Sequence, residues 1–357
     1  MFITEKKLLP ANNNFGLLRL IAAGLVFLSH SYDIMGISEK ELFKQPTHNG
    51  YVFSTFGLIM FFTMSGFLVC KSLVTSGSII QYGANRFLRI WPALAACVIL
   101  IILVPGLIFT TLPPAVFLTH PQTLFFLFKN ISLTGTSLWL PDVFNNTSID
   151  SSLWTIPMEV RLYLLLIPFF YIKKQHRKLC IAVLLLLILL IQILFPSDTA
   201  LEKIFGHSLN MMLRFGTCFF LGVGVYLYKE KLPFRFSIWI SLCSIWIISC
   251  IWSPTYYIVA GFLFVSYSLF ALAFFVPVIP FMKADISYGF YLYAFPVQKC
   301  IWYVWGSQLN FFEYVSICGT CIVVIALLSW YLIEKNALKW KYTFKHLVSG
   351  SRPQPSQ

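Results

Sequence analysis

"LRLIAAGLVFLSHSYD" (residues 18–33) has the length and apolarity of a membrane-spanning helix, yet it carries Arg19, His30 and Asp33. An α-helix turns about 100° and rises ~1.5 Å per residue, so Arg19 and His30 return to one face after three turns, ~16 Å apart along the axis. Ala22, Ala23 and Val26 lie between them on that face. Such a strip of small side chains leaves a slot for a narrow, extended molecule. An ionisable group inside a bilayer is costly enough that each one is a functional candidate. His30 is then either a chemical group or a core histidine bonded to a neighbouring helix. Asp33, one turn further, either orients the His30 imidazole and raises its basicity or opens a solvated outer loop.

The rest of the chain extends this reading. Of 357 residues, 58% are hydrophobic and 11% charged, and the mean hydropathy is +0.79, which excludes a soluble domain. Ten stretches are apolar and long enough to cross a membrane: 15–34, 51–72, 87–109, 152–172, 179–196, 208–228, 236–252, 256–281, 286–306 and 312–333. The expected fold class is all-α, a polytopic membrane protein with about ten transmembrane helices. Residues 121–140, interrupted by Lys129, Asn130 and Gly135, predict a re-entrant or interfacial helix within a long loop.

With a cytoplasmic N-terminus, the inner side takes 18 of the 26 Lys and Arg and the outer side 4, so the positive-inside rule puts both termini in the cytoplasm. This bias explains the net charge of +13 as topology and leaves no role for nucleic acid. Lys6 and Lys7 precede the first apolar run with no small-residue cleavage site after it, so that run reads as a retained span. The domain reading is a membrane domain over 1–340 and a short basic, Pro- and Ser-containing cytoplasmic tail over 341–357. The nine Cys lack metal-type spacing and read as small buried hydrophobes, so no metal site is expected.

Three further stretches carry polar groups. "NRFLRIWP" (85–92) sets Arg86 and Arg89 on one side at the expected start of the third span, where the helix dipole and free N–H groups also favour anions. The pair is either a phosphate or pyrophosphate site or a topogenic cluster at lipid headgroups. "SLWTIPMEVRLY" (152–163) contains Pro157, expected to kink or loosen its helix, followed by Glu159 and Tyr163 on one face. Glu159 needs a cation or a proton. Arg161 faces away from it, Arg214 is a candidate partner, and a purely structural ion pair is the alternative. In "FFTMSGF" (61–67), Ser65 and Gly66 read as a close helix contact, and in "DISYGFYLYAFPVQ" (285–298), Tyr288 and Tyr291 are pocket-lining candidates.

In this order the pieces resemble the acyltransferase-3 family of bacterial integral membrane O-acyltransferases. The resemblance covers most of the chain: "NNFGLLRLIAAGLVFLSH", "FFTMSGFLV", "RFLRIWPAL", "SLWTIPMEVRLYLL", "DISYGFYLYAFPVQ" and "SWYLIEKNALKWK" are similar to its successive signatures. It implies transfer of an acyl group, commonly acetyl, from cytoplasmic acyl-CoA to a hydroxyl of a glycan or lipid-linked sugar outside the bacterial cytoplasmic (inner) membrane. Acyl-CoA is then a donor substrate, and no permanently bound cofactor is expected.

The resemblance places His30 on the family's essential histidine, Arg19 on its paired arginine, Arg86 and Arg89 on its Arg-x-x-Arg, and Glu159 on the acidic residue of its "LWxxxxE" signature. The expected catalytic set is His30, Glu159 and Asp33; Arg19, Arg86 and Arg89 hold acyl-CoA; Ser65, Tyr163, Arg214 and Tyr288 contact substrate. Many members carry a histidine where Ala294 stands, so a second essential histidine is not expected there. Some members add an extracytoplasmic esterase-like domain after the last span; without one in this sequence, transfer is expected to be completed by the membrane part or by another protein. A transporter or flippase for an anionic or glycan substrate is the rival class, since buried Arg, His and Glu would serve it too. Paired halves, which that class tends to show, are not visible in the sequence.

Overall fold

The computed structural model describes residues 2–48, 50–194, 207–252, 257–280 and 284–341, and among these there are helices and turns but no strand. In chain order the helices are α1 (Phe15–Ile34), α2 (Phe53–Ser76), α3 (Ile79–Phe109, with a π turn at Ile102–Gly106), α4 (Pro114–Thr119), α5 (Pro121–Ile131), α6 (Thr155–Leu165) and α7 (Pro168–Tyr171). They continue with α8 (Lys174–Leu194), α9 (His207–Tyr228), α10 (Phe236–Trp252), α11 (Tyr257–Phe274), α12 (Ser287–Trp305) and α13 (Phe311–Ser329, prolonged by a π turn at Trp330–Glu334).

Seven of the described helices (α1, α2, α3, α8, α9, α11 and α13) are long and apolar enough to cross a membrane, against the ten spans expected. α10 is apolar but has only 17 residues. The expected span 152–172 is split into α6 and α7, and α12 is diluted by tyrosines, Gln298 and Lys299. The tail lies outside the described residues from 342 onward.

Local chemistry explains where boundaries moved. α3 starts at Ile79 rather than 87: Gly77, at φ +66°, turns the chain out of α2, and Ser78 Oγ accepts the Gln81 N–H at 3.4 Å. Pro157 does not kink its helix. It is the third residue of α6, where a backbone N–H has no intrahelical partner to lose, and the break comes after Leu165, ahead of Pro168. In the stretch 121–140 the helix stops at Ile131, because Asn130 Nδ2 binds the Phe126 and Ser137 carbonyls and Asn130 Oδ1 takes the Ser137 N–H, folding the loop back.

The chain forms two compact units. Unit 1 comprises Met1–Tyr32, Ile37–Val74 and Leu162–Met282; unit 2 comprises Asp33–Gly36, Thr75–Arg161 and Lys283–Gln357. In unit 1, α2 is the spine. A Cβ added to Gly57 would lie 2.6 Å from the Ala22 carbonyl oxygen of α1, one on Gly66 only 1.9 Å from the Phe219 carbonyl oxygen of α9, and one on Gly222 of α9 only 2.0 Å from the Thr63 carbonyl oxygen. Small residues let the backbones touch.

This contact also corrects the slot expected on α1. Ala22, Ala23 and Val26 are buried, and α2 packs on Ala22 and Val26 at Gly57, so the small-residue strip serves helix packing. Neutral hydrogen bonds add α11 and α8 to this frame, Thr63 of α2 to Ser266 of α11 at 3.0 Å and Gln192 of α8 to Thr217 of α9 at 2.6 Å, and Phe15, Phe67, Phe270 and Phe274 form a ring cluster.

Unit 2 is built on α3, α12 and α13. α12 meets α13 where a Cβ on Gly289 would lie 3.3 Å from the Ala326 Cα, and Cys97 of α3 donates to the Leu292 carbonyl of α12 at 3.5 Å. Asn310 and Glu313 cap α13 reciprocally.

Candidate active site

The polar residues singled out in the sequence divide between the units. Unit 1 holds Arg19, His30, Ser65, Tyr163 and Arg214; unit 2 holds Asp33, Arg86, Arg89, Glu159 and Tyr288.

In unit 1, Arg19 and His30 stand half-buried on the unbroken helix α1. Next to His30, the buried Ser29 hydroxyl donates to Glu41 Oε2 and to Ser54 Oγ, both at 3.2 Å. Glu41 is itself buried, 2% exposed, and its other oxygen accepts the N–H of Phe53, the first residue of α2. A carboxylate at a helix N-terminus is favoured by the free N–H groups and the dipole. Glu41 thus pins the α1–α2 loop over the turn that carries His30. Sequence reasoning missed it because an acidic residue in a polar loop has no periodic signal. Ser65 and Tyr163 meet at 2.7 Å, joining α2 to α6, while Gly66 makes the close contact read from the sequence. Arg214 is half-buried on α9.

In unit 2, Arg86 and Arg89 are more than one turn inside α3, because the helix begins at Ile79. The free N–H groups of that helix belong to its first turn, so the dipole expected to reinforce these arginines does not act on them. Arg89 is gripped by two carboxylates. Its Nη2 is 2.9 Å from Asp285 Oδ2 and its Nη1 is 3.7 Å from Glu334 Oε2. Asp285 is steadied by the Ser287 hydroxyl at 2.7 Å, and Glu334, 3% exposed, by the Ser329 hydroxyl at 3.2 Å. The Tyr288 ring lies 5.8 Å from the guanidinium, and its hydroxyl donates to the Ile90 carbonyl at 3.1 Å. Glu334 closes the π turn at the end of α13, a distortion often found at functional sites.

Glu159 is half-buried on α6, and Arg161 points to the Thr134 carbonyl at 3.3 Å. Asp33 is exposed at the last turn of α1. Asp150, absent from the sequence reading, is fully buried in the loop before α6. Its Oδ1 accepts both the N–H of Ser152 (2.8 Å) and the Ser152 hydroxyl (2.6 Å), and its Oδ2 has no hydrogen-bond partner. Burial pushes its carboxyl up to about 7. Tyr291 shares a hydrogen bond with Thr155 at 2.7 Å and donates to the Ser152 carbonyl at 3.1 Å, so it braces this loop. No group of three or more His, Cys, Asp or Glu able to hold a metal occurs among the described residues.

Apolar helices that carry Arg19 and His30 in one unit and an arginine pair in the other are a pattern of integral membrane proteins that handle polar substrates, and similarity to known proteins gives the family. The family model described as "Acyltransferase domain" matches residues 12–330, so the chain belongs to the acyltransferase-3 family and is an acyltransferase. It is 29% identical over 347 residues to the "O-acetyl transferase" of Shigella phage Sf6, covering 92% of this chain and 96% of that protein. It is 25% identical over 373 residues to "Nodulation protein 10" of Rhizobium leguminosarum bv. viciae, covering 92% and 93%. No solved structure matches. With seven membrane-length apolar helices, the enzyme is a multi-pass membrane protein.

Proposed function

We propose that this acyltransferase is an O-acetyltransferase of the bacterial cytoplasmic (inner) membrane, with ten crossings and both termini inside. It moves acetyl from cytoplasmic acetyl-CoA to a hydroxyl of an extracytoplasmic glycan or lipid-linked sugar. The name of the phage Sf6 relative supports the acetyl group, and the 18-to-4 bias of Lys and Arg supports the orientation. The observation that carries the reading is the placement of Arg19 and His30, half-buried, on the one unbroken helix α1.

In this reading neutral His30 takes the proton of the acceptor hydroxyl as its oxygen forms a bond to the thioester carbonyl carbon. The C–S bond then breaks, and the CoA thiolate leaves and collects the proton. Arg19 and Arg86 bind CoA phosphates. Arg89 joins them by exchanging Asp285 or Glu334 for a phosphate oxygen, which retains a charge-assisted partner. Glu159 and Asp33 are assigned to the acceptor side, orienting the imidazole or the sugar, and Ser65, Tyr163, Arg214 and Tyr288 to substrate contact.

The test is release of free CoA thiol and acetylated product by the purified protein given acetyl-CoA and a surface-glycan extract. His30→Ala is expected to lose transfer while remaining inserted and folded, and full transfer by that variant would overturn the reading. Arg86→Ala is expected to raise the KM for acetyl-CoA more than it lowers kcat; a fall in kcat alone would remove the phosphate assignment. Uptake or flipping of substrate without thiol release would assign the chain to the transporter class.

A further inference from the structure

A groove in unit 1 takes no part in the chemistry above. It has a volume of about 800 Å³ and is walled by apolar side chains, with Phe43 and Phe53 at one end, Phe264 midway, and Leu272 and Phe275 at the other. The polar residues of its wall are Arg235, Tyr267 and Ser268. The Ser268 hydroxyl donates to the Phe264 carbonyl (2.8 Å) and accepts the Trp239 indole N–H (2.9 Å), while the Tyr267 hydroxyl accepts the Arg235 N–H (2.8 Å) and faces the Pro233 carbonyl (3.2 Å). These hydroxyls are already spent on the protein, so the wall suits hydrocarbon.

The two ends of the groove lie at different levels of α1. Asn14 at the foot of α1 bonds the Leu272, Val276 and Pro277 carbonyls at one end, and Ser29 bonds Ser54 beside Phe53 at the other. Along α1 these levels are ~22 Å apart, room for a long acyl chain.

Two cations stand at the Leu272–Phe275 end. Lys7 Nζ lies 3.7 Å from the centroid of the Phe275 ring, and Arg235 is exposed with its backbone held by Tyr267. Neither forms an ion pair with an acidic side chain among the described residues. The charge bias reads this end as cytoplasmic, the face where anionic headgroups attract basic residues. We propose that the groove binds one acyl chain of an anionic phospholipid, with Lys7 and Arg235 on its phosphate.

The full-length protein, delipidated and then offered equal amounts of phosphatidylglycerol and phosphatidylcholine in micelles, would be read by native mass spectrometry. Phosphatidylglycerol is expected to be retained about tenfold or more over phosphatidylcholine, as two basic side chains near a headgroup supply. The Lys7→Gln, Arg235→Gln double variant is expected to bring that ratio to about one, and Ala271→Trp, which fills the groove, to lose both lipids at an unchanged unfolding temperature. The double variant alters no packed interior, so it carries the test if Ala271→Trp does not fold. Equal retention by the unaltered protein, an unchanged ratio in the double variant, or displacement of phosphatidylglycerol by an equimolar polyprenyl phosphate would each overturn the proposal.

Discussion

The two units of this acyltransferase are cemented differently. In unit 1 the helices touch through glycines and aromatic rings, and neutral bonds such as Thr63–Ser266 and Gln192–Thr217 join them, alongside the Glu41 carboxylate between α1 and the start of α2. In unit 2 the helices are tied through charge: Arg89 of α3 holds Asp285 ahead of α12 and Glu334 at the end of α13, and Asp150 is buried in the loop before α6. Contacts of the first kind fail by volume, and contacts of the second kind fail by charge and protonation.

The comparison is broken most severely at Gly66 and Gly222. An alanine there would drive its Cβ against a backbone carbonyl of the partner helix, at 1.9 and 2.0 Å, and neither backbone can swing aside as a side chain would. Gly66→Ala or Gly222→Ala is expected to cost at least the ~3 kcal/mol at the top of the overpacking range, seen as loss of monodisperse protein on size exclusion. An isovolumetric change such as Thr63→Val should be far milder.

Next in size is Arg89→Ala, which strands Glu334 in a buried site, 3% exposed. Breaking such a pair costs on the order of 3 kcal/mol, less here because Arg89 is partly exposed. Glu334→Gln in the same chain should recover much of the loss, and a double-mutant cycle on the unfolding temperature measures the coupling.

The third effect is a slope. Asp150 is held at about 7, well above the ordinary carboxyl value, so between about pH 4 and 7 the folded protein holds a proton that the unfolded chain has released. Stability from this group is complete below pH ~4 and is lost as pH rises through about 7. Asp150→Asn keeps the acceptor that Ser152 uses and carries no charge, so it is expected to flatten that decline in a series of unfolding curves. An unaltered slope would remove Asp150 from the account. The smallest effect expected is from Tyr163→Phe, which deletes the neutral bond to Ser65 at a cost of about 0.5–1.5 kcal/mol.

Much of this architecture is legible in the amino-acid sequence. Apolar runs have to be helices in a membrane, where each backbone group must find its partner within the segment, so α1, α2, α8, α9 and α11 fall close to where the hydropathy puts them. Arg161 turned away from Glu159 as helical spacing required. The start of α3 was misjudged because Ile79 to Asn85 is too polar to read as a span, although Ser78 and Gly77 carry a usable cap signal. Asp150 and Glu41 were missed because loop carboxylates look solvated until the fold buries them.

By itself the sequence determined the family, the helical membrane architecture and the common face of Arg19 and His30, because periodicity and apolar length act locally along one chain. Only the tertiary structure decided that the small strip of α1 is filled by α2, that Arg89 is already held by Asp285 and Glu334, and that an apolar groove ends at Lys7 and Arg235. Each of these depends on residues far apart in the chain, and only packing brings such residues within contact distance.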